Sequence, residues 1–418
     1  MSVLRRNIFS LLLLQGSNYI IPLLTLPYLT RVLGVEGFGV YSLTLSLAQY
    51  FVILIDFGFN LSASKKIAEH QDDPEYISKI FFETLISKSI LCLVSIVIVV
   101  LLLATNSHAV IQRELIYTVL MLIGTTLMPV WFFQGIEKLS VVTNLMIVAK
   151  LSMLPLFFIF VHSDADVKYA VMIQSSMNLL AGIIAIIYIY RKKLVRAVSF
   201  SSLRVAYTLK DSFPIFCATL SISLYTMSTT IIIGIFSNVY EVSIFTAADR
   251  VKGAILGVFL VLGNAFYPRI NSLLVNKKDE AYALIRKIFY WQGALCIIIT
   301  IFVIVFSKLI TKIMFGHEYS EVSTLLILFS PVYLLVIQST VLGNYILLPH
   351  GHKKSYIILP MISAVIHIPL CAYLASMYGA WGGVLSIIFI ETLSFICLIL
   401  ILKRKKLLFE ILSRNKNG

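Results

Sequence analysis

The stretch Ile90-Leu91-Cys92-Leu93-Val94-Ser95-Ile96-Val97-Ile98-Val99-Val100-Leu101-Leu102-Leu103-Ala104 decides what kind of fold this chain can adopt. It carries no charge over most of a hydrocarbon layer, which is ~30 Å thick and takes about 20 mostly apolar residues in a helix. A strand of a membrane β-barrel would alternate polar and apolar positions over roughly ten residues; neither this stretch nor Ile297 to Phe306 alternates. Without water in that layer, every backbone N–H and C=O must be paired within the segment, which selects a helix. Similar blocks recur along the chain. Of 418 residues, 59% are hydrophobic and 13% charged, about half the charged share of a soluble domain. The expectation is an all-α integral membrane protein of about twelve transmembrane helices, at 8–29, 39–59, 82–104, 114–134, 143–161, 168–190, 213–236, 244–267, 288–310, 321–348, 355–375 and 382–402.

The cations then assign orientation. One set of connections carries Arg5, Arg6, Lys65, Lys66, Lys79, Arg191, Lys192, Lys193, Arg196, Arg269, Lys277, Lys278, Arg286, Lys287, Lys353, Lys354 and Lys403 to Lys406. The opposite set offers little beyond Arg31, Arg113, Lys168 and Lys312. Basic loops near span ends stay cytoplasmic, so both termini are expected there, and the net charge of +14 is mostly orientation charge. Spread over many short loops, it makes no nucleic-acid surface and instead suits anionic lipid headgroups. The first apolar segment runs too long for a signal peptide, carries Gln15, Asn18, Pro22 and Pro27, and reads as a retained helix. Five scattered cysteines imply neither disulfides nor a metal. There is no Gly-x-x-x-x-Gly-Lys-Ser/Thr loop and no His-Glu-x-x-His motif, and His350 with His352 lacks further ligands, so no cofactor, metal or ATP hydrolysis is expected.

The blocks fall into two similar halves. Residues 34–42 and 238–246 occupy the same place between the first and second spans of their halves, and Lys79-Ile80-Phe81 echoes Lys287-Ile288-Phe289. Six spans per copy make the copies parallel, with a solvated cavity at their interface. The expected organisation is an N-terminal six-helix lobe at 1–190, a basic inter-lobe linker at 191–212, a C-terminal lobe at 213–402 and a basic tail at 403–418.

Ionisable residues inside spans cost several kcal/mol, so they face protein or a watery cavity. The candidates for binding an anionic substrate are Arg250, Lys252, Lys88 and Lys150, with Asn18 in a bendable, proline-bearing first helix. Asp249 and Lys252 are three apart on one helix face and can neutralise each other, whereas Arg250 points roughly 100° away and could hold a phosphate with two parallel hydrogen bonds. Glu391, Asp249 and Asp56 are the candidates for ion coupling, Asp56 being the weakest because it lies near a helix end. The four-residue spacings Gly253–Gly257 and Gly379–Gly383 read as close helix packing.

The runs Leu26-Pro27-Tyr28-Leu29-Thr30-Arg31-Val32-Leu33-Gly34, Gly37 to Ser42, Asp56 to Ser64 and, most specifically, Pro129-Val130-Trp131-Phe132-Phe133-Gln134-Gly135-Ile136-Glu137-Lys138 resemble the bacterial polysaccharide-repeat flippases of the Wzx type. The resemblance implies the MATE-like fold of the multidrug/oligosaccharidyl-lipid/polysaccharide exporters, with two six-helix lobes around a central cavity. It implies a multi-pass protein of the bacterial inner membrane, not an enzyme. Its implied substrate is an undecaprenyl-diphosphate-linked oligosaccharide, the O-antigen or related repeat unit of polysaccharide and lipopolysaccharide biosynthesis, moved by ion-coupled antiport. Arg31 and Arg250 match the cavity arginines of related flippases. A polysaccharide polymerase and a chain-length regulator are implied partners of a monomer. A drug antiporter of the same fold is the main alternative; a polymerase or ligase would need a larger outer loop.

Overall fold

The computed structural model describes residues 3–104, 113–196 and 202–412, with side chains from residue 24 onward and most of those at 204–409. Among the described residues every regular element is a helix. In order they are α1 (Val3–Asp56), α2 (Phe59–Glu69), α3 (Pro74–Ala104), α4 (Val119–Leu127), α5 (Val130–Gly135), α6 (Leu139–Phe160), α7 (Val167–Arg191), α8 (Ser202–Phe236), α9 (Val239–Asn276), α10 (Lys278–Met314), α11 (Val322–Thr340), α12 (Lys353–Arg404) and α13 (Leu407–Leu412). Each of the twelve apolar blocks falls on helical segments. Among the described residues, eight helices are long and apolar enough to cross a membrane, or up to nine when the two parts of α8 are counted as one span.

Two of these helices hold two blocks each. At 54 residues, an unbroken α1 would run ~80 Å, more than twice the hydrocarbon thickness. It is broken at Gly34 (φ 65°, ψ −176°), between the blocks 8–29 and 39–59. α12 is broken at Gly379 (φ 53°, ψ −126°), between 355–375 and 382–402. Only glycine takes such backbone without a Cβ penalty. Gly379 is thus a helix break as well as a close-packed glycine: a Cβ there would lie 2.5 Å from the Glu241 side chain and one on Gly383 2.6 Å from the Ile233 side chain, whereas a Cβ on Gly253 would meet nothing within 4 Å. Close packing is found at Gly124, where a Cβ would lie 2.3 Å from the Leu179 backbone N, so that α4 and α7 meet backbone to backbone.

The chain forms two compact units, Met1–Ser223 and Leu224–Gly418. In the first, α4 and α6 pack on α7, α1 on α6, and α2 on α5. The N-terminal half of α8 belongs to it, tied by Lys66–Asp211 at 2.7 Å, Ser62–Ser212 at 2.7 Å and Arg204–Glu83 at 3.7 Å. In the second unit α11 packs on α9, α10 and α12. Helix faces are sorted for lipid. On α3, Leu93, Val97, Val100 and Leu101 are exposed while Lys88, Cys92, Ser95 and Val99 are buried; both sets follow the helical repeat, and the polar atoms turn inward.

Candidate functional site

α1 ends at Asp56 because Phe57 (φ 40°) and Gly58 (φ 77°) take left-handed backbone. A Cβ on Gly58 would sit 2.7 Å from the Ile215 side chain, which requires glycine there. Facing Asp56 is Lys88 of α3, 1% exposed: its Nζ donates to Asp56 Oδ1 at 3.0 Å and to the Met128 carbonyl at 3.4 Å. That carbonyl is free because Pro129 breaks the helix there. The Phe132 N–H, which would reach Met128 in a continuous helix, donates to the Pro129 carbonyl at 3.1 Å. A proline break, the carbonyl it releases and a buried ammonium thus form one polar unit. Two candidates named separately in the sequence, a cation and an acid, are paired with each other.

The motif that follows Pro129 is also a packing device. Trp131, Phe132 and Phe133 are no more than 1% exposed, and a Cβ on Gly135 would lie 2.6 Å from the Ile67 side chain of α2. Arg31 is exposed on α1, three residues before the Gly34 break, and Lys150 is half-buried on α6. The Asn18 side chain lies outside the described residues.

In the second unit, Lys252 Nζ pairs with Asp249 Oδ1 along α9 and lies 4.8 Å from the Phe329 ring of α11. The local spacing delivers the pair, and the cation–π contact fastens it to the neighbouring helix. Arg250 is exposed and has no ion-pair or hydrogen-bond partner among the described residues. One turn from the start of α9 the structure supplies a contact with no local sequence signal. Glu241 Oε2 accepts the Ala380 N–H at 2.8 Å, one of the donors that the Gly379 break leaves without a helical acceptor.

Glu391 lines a cavity of ≈ 330 Å³ formed by the second unit. The wall opposite is irregular: α11 continues into a π-helix, Val341–Leu347, which contributes Gly343 and Asn344 to the lining. Tyr356 Oη donates to Asn344 Oδ1 at 2.8 Å, and the Ser363 and Ser394 hydroxyls are 2.9 Å apart. Ser339 Oγ, also in the lining, is buried with no hydrogen-bond partner among the described residues. One carboxylate among neutral oxygens can take a proton or a small cation, and π-helical turns recur at functional sites. Both ring nitrogens of His350 are engaged: its Nδ1 donates to the Ile346 carbonyl at 2.6 Å and its Nε2 accepts from Tyr282 Oη at 3.2 Å. No group of three or more His, Cys, Asp or Glu that could hold a metal occurs among the described residues.

The arrangement contains cations, an acid lining a cavity and helix breaks. Solved structures share the fold. The lipid II flippase MurJ, in an inward closed conformation, matches with a TM-score of 0.72 over 98% of this chain and 90% of its own, at 14% identity. A MATE family multidrug resistance transporter, inward-facing, matches with a TM-score of 0.65 over 96% and 100%, at 16% identity. The protein is therefore a multi-pass membrane protein of MATE-like fold. In sequence it is 32% identical over 409 residues to an Escherichia coli (strain K12) protein named "Putative O-antigen transporter", covering 97% of this chain and 98% of that one. A Shigella dysenteriae protein of the same name is 30% identical, covering 93% and 98%. Residues 4–274 match the family described as "Polysaccharide biosynthesis protein", and the chain belongs to that family.

Proposed function

We propose that this chain is a flippase for an undecaprenyl-diphosphate-linked oligosaccharide, the repeat unit of O-antigen or a related surface polysaccharide. It would carry the unit from the cytoplasmic to the outer leaflet of the bacterial inner membrane by alternating access, with both termini cytoplasmic. The observation that carries this reading is the 32% identity, over 97% of the chain, to the protein named as an O-antigen transporter. The step makes and breaks no covalent bond. A diphosphate cannot cross hydrocarbon unaided because its charges would be desolvated, so the carrier must offer a cation that keeps its charge. Arg250 supplies this: a guanidinium stays protonated, is weakly hydrated and holds phosphate oxygens two at a time. Glu391 takes the coupling ion, binding and releasing it as the carrier changes state.

The test is a gene deletion followed by extraction of lipid-linked oligosaccharides. Complete repeat units should accumulate facing the cytoplasm while surface polysaccharide disappears. The cloned gene should reverse both effects, and the Arg250→Ala variant should reverse neither, although it reaches the membrane at normal level. Normal polysaccharide with Arg250→Ala would remove that residue from the site. Unchanged polysaccharide with altered drug tolerance in the deletion would replace the flippase with a small-molecule antiporter.

A further inference from the structure

A second pocket, of ≈ 360 Å³, lies in the first unit, and none of the candidate substrate-binding or coupling residues lines it. Three cations line it, Lys138, Lys193 and Arg196, and no carboxylate does. They reach it from separate parts of the chain, Lys138 from the end of α5 and the other two from the segment after α7. The rest of the lining is mostly apolar, with Phe132, Ile77 and Leu194 beside Gln71.

The local backbone is built to bring the cations there. α5 and α7 both end in the same hydrogen-bonded cap. After α5, the Lys138 N–H donates to the Phe133 carbonyl at 2.7 Å; after α7, the Leu194 N–H donates to the Ile189 carbonyl at 3.1 Å. Each cap needs one left-handed residue, a place usually held by glycine. Here Glu137 (φ 57°) and Lys193 (φ 50°) hold these places. Lys193 thus accepts a backbone conformation disfavoured for a residue with a side chain, and it lines the pocket. Arg196 is anchored by its own backbone, its N–H donating to Ser78 Oγ of α3 at 2.9 Å.

Complementing the helix ends does not explain the cluster. A helix C-terminus carries about half a negative charge, so two ends need fewer than three cations, and both ends are already hydrogen-bonded. None of the three cations forms an ion pair among the described residues. The apolar block 168–190 ends next to Lys193, which sets the pocket where hydrocarbon gives way to water. Unpaired cations in a mostly apolar lining at that depth match a phosphate carried on an apolar tail. We propose that this pocket binds the headgroup of an anionic phospholipid, a role independent of the translocated substrate.

The test uses the full-length protein in detergent, with native mass spectrometry counting retained phosphatidylglycerol against phosphatidylcholine. The wild-type chain should hold phosphatidylglycerol in preference. Near a membrane surface each cation is worth about fivefold in affinity, so combined Lys138→Gln, Lys193→Gln and Arg196→Gln should weaken retention on the order of 100-fold. The same charge loss elsewhere, Lys278→Gln, Lys287→Gln and Lys354→Gln, should leave the tight lipid in place. Lys193→Gly separates binding from folding: it relieves the left-handed lysine, so thermal stability should hold or rise while retention drops about fivefold. Inorganic diphosphate, which has no tail, should not displace the lipid. Wild-type retention by the pocket triple variant, equal loss in the control triple, or displacement by inorganic diphosphate would each overturn the assignment.

Discussion

Breaking the Asp56–Lys88 pair should cost more when the carboxylate is removed than when the ammonium is. The Asp56 side chain is 33% exposed and that of Lys88 1%. In Lys88→Met the stranded carboxylate keeps part of its water and methionine fills the apolar volume. A loss of about 1–2 kcal/mol follows, below the ~3–5 kcal/mol for a fully buried pair. In Asp56→Asn the ammonium has no water to turn to. Only the Met128 carbonyl and the new amide oxygen remain to it, leaving a loss of about 3 kcal/mol. The double variant, with neither charge, should lose only about 1–2 kcal/mol, less than the singles combined. For a unit of this size 1 kcal/mol moves the midpoint by roughly 2–4 °C, so Asp56→Asn should melt about 6–12 °C lower in detergent, followed by size-exclusion chromatography after heating. Lys88→Met melting below Asp56→Asn, or singles that simply add in the double variant, would refute the reasoning. The same strains carry a functional answer. If Lys88 only braces α3 against α1, the double variant restores surface polysaccharide. If it touches substrate, a stable double variant still fails.

Glu391→Gln should abolish any dependence of translocation on a proton gradient in reconstituted vesicles while leaving thermal stability near wild type; a variant that still follows the gradient would move coupling to another residue. Glu241→Gln replaces a charge-assisted bond to the Ala380 N–H with a neutral one, for a loss of about 1 kcal/mol, and Glu241→Ala should lose about 2 kcal/mol because that N–H is left bare. Amide exchange at Ala380 should accelerate in the same order, and unchanged protection would show that Glu241 does not cap the helix.

The parts of this molecule that could be read in advance are those whose cause is local. Hydrocarbon thickness alone divides the chain into helical blocks, and each block falls on helical segments, the one at 114–134 interrupted at Pro129. The pair Asp249–Lys252 follows from a three-residue spacing on one face. Arg250, displaced from that face, is exposed as its angle implies. Asp56 and Lys88 are different, because each appears alone in its own segment and invites a separate role. What joins them is a proline far along the chain, whose helix break turns the Phe132 N–H away from the Met128 carbonyl beside the lysine. Glu241 is equally silent, since its partner is a backbone amide exposed by a glycine break more than a hundred residues later. The cations around the first-unit pocket show a third kind of limit. Counted loop by loop, Lys193 and Arg196 serve orientation, and that count holds wherever in the loop they stand. Orientation would be met equally well by a lysine one residue away and by glycine at the left-handed position. The proposed lipid site gives Lys193 a second role beside orientation, and the Lys193→Gly variant separates the two: it keeps nearly all the loop charge and removes one of the three cations that line the pocket.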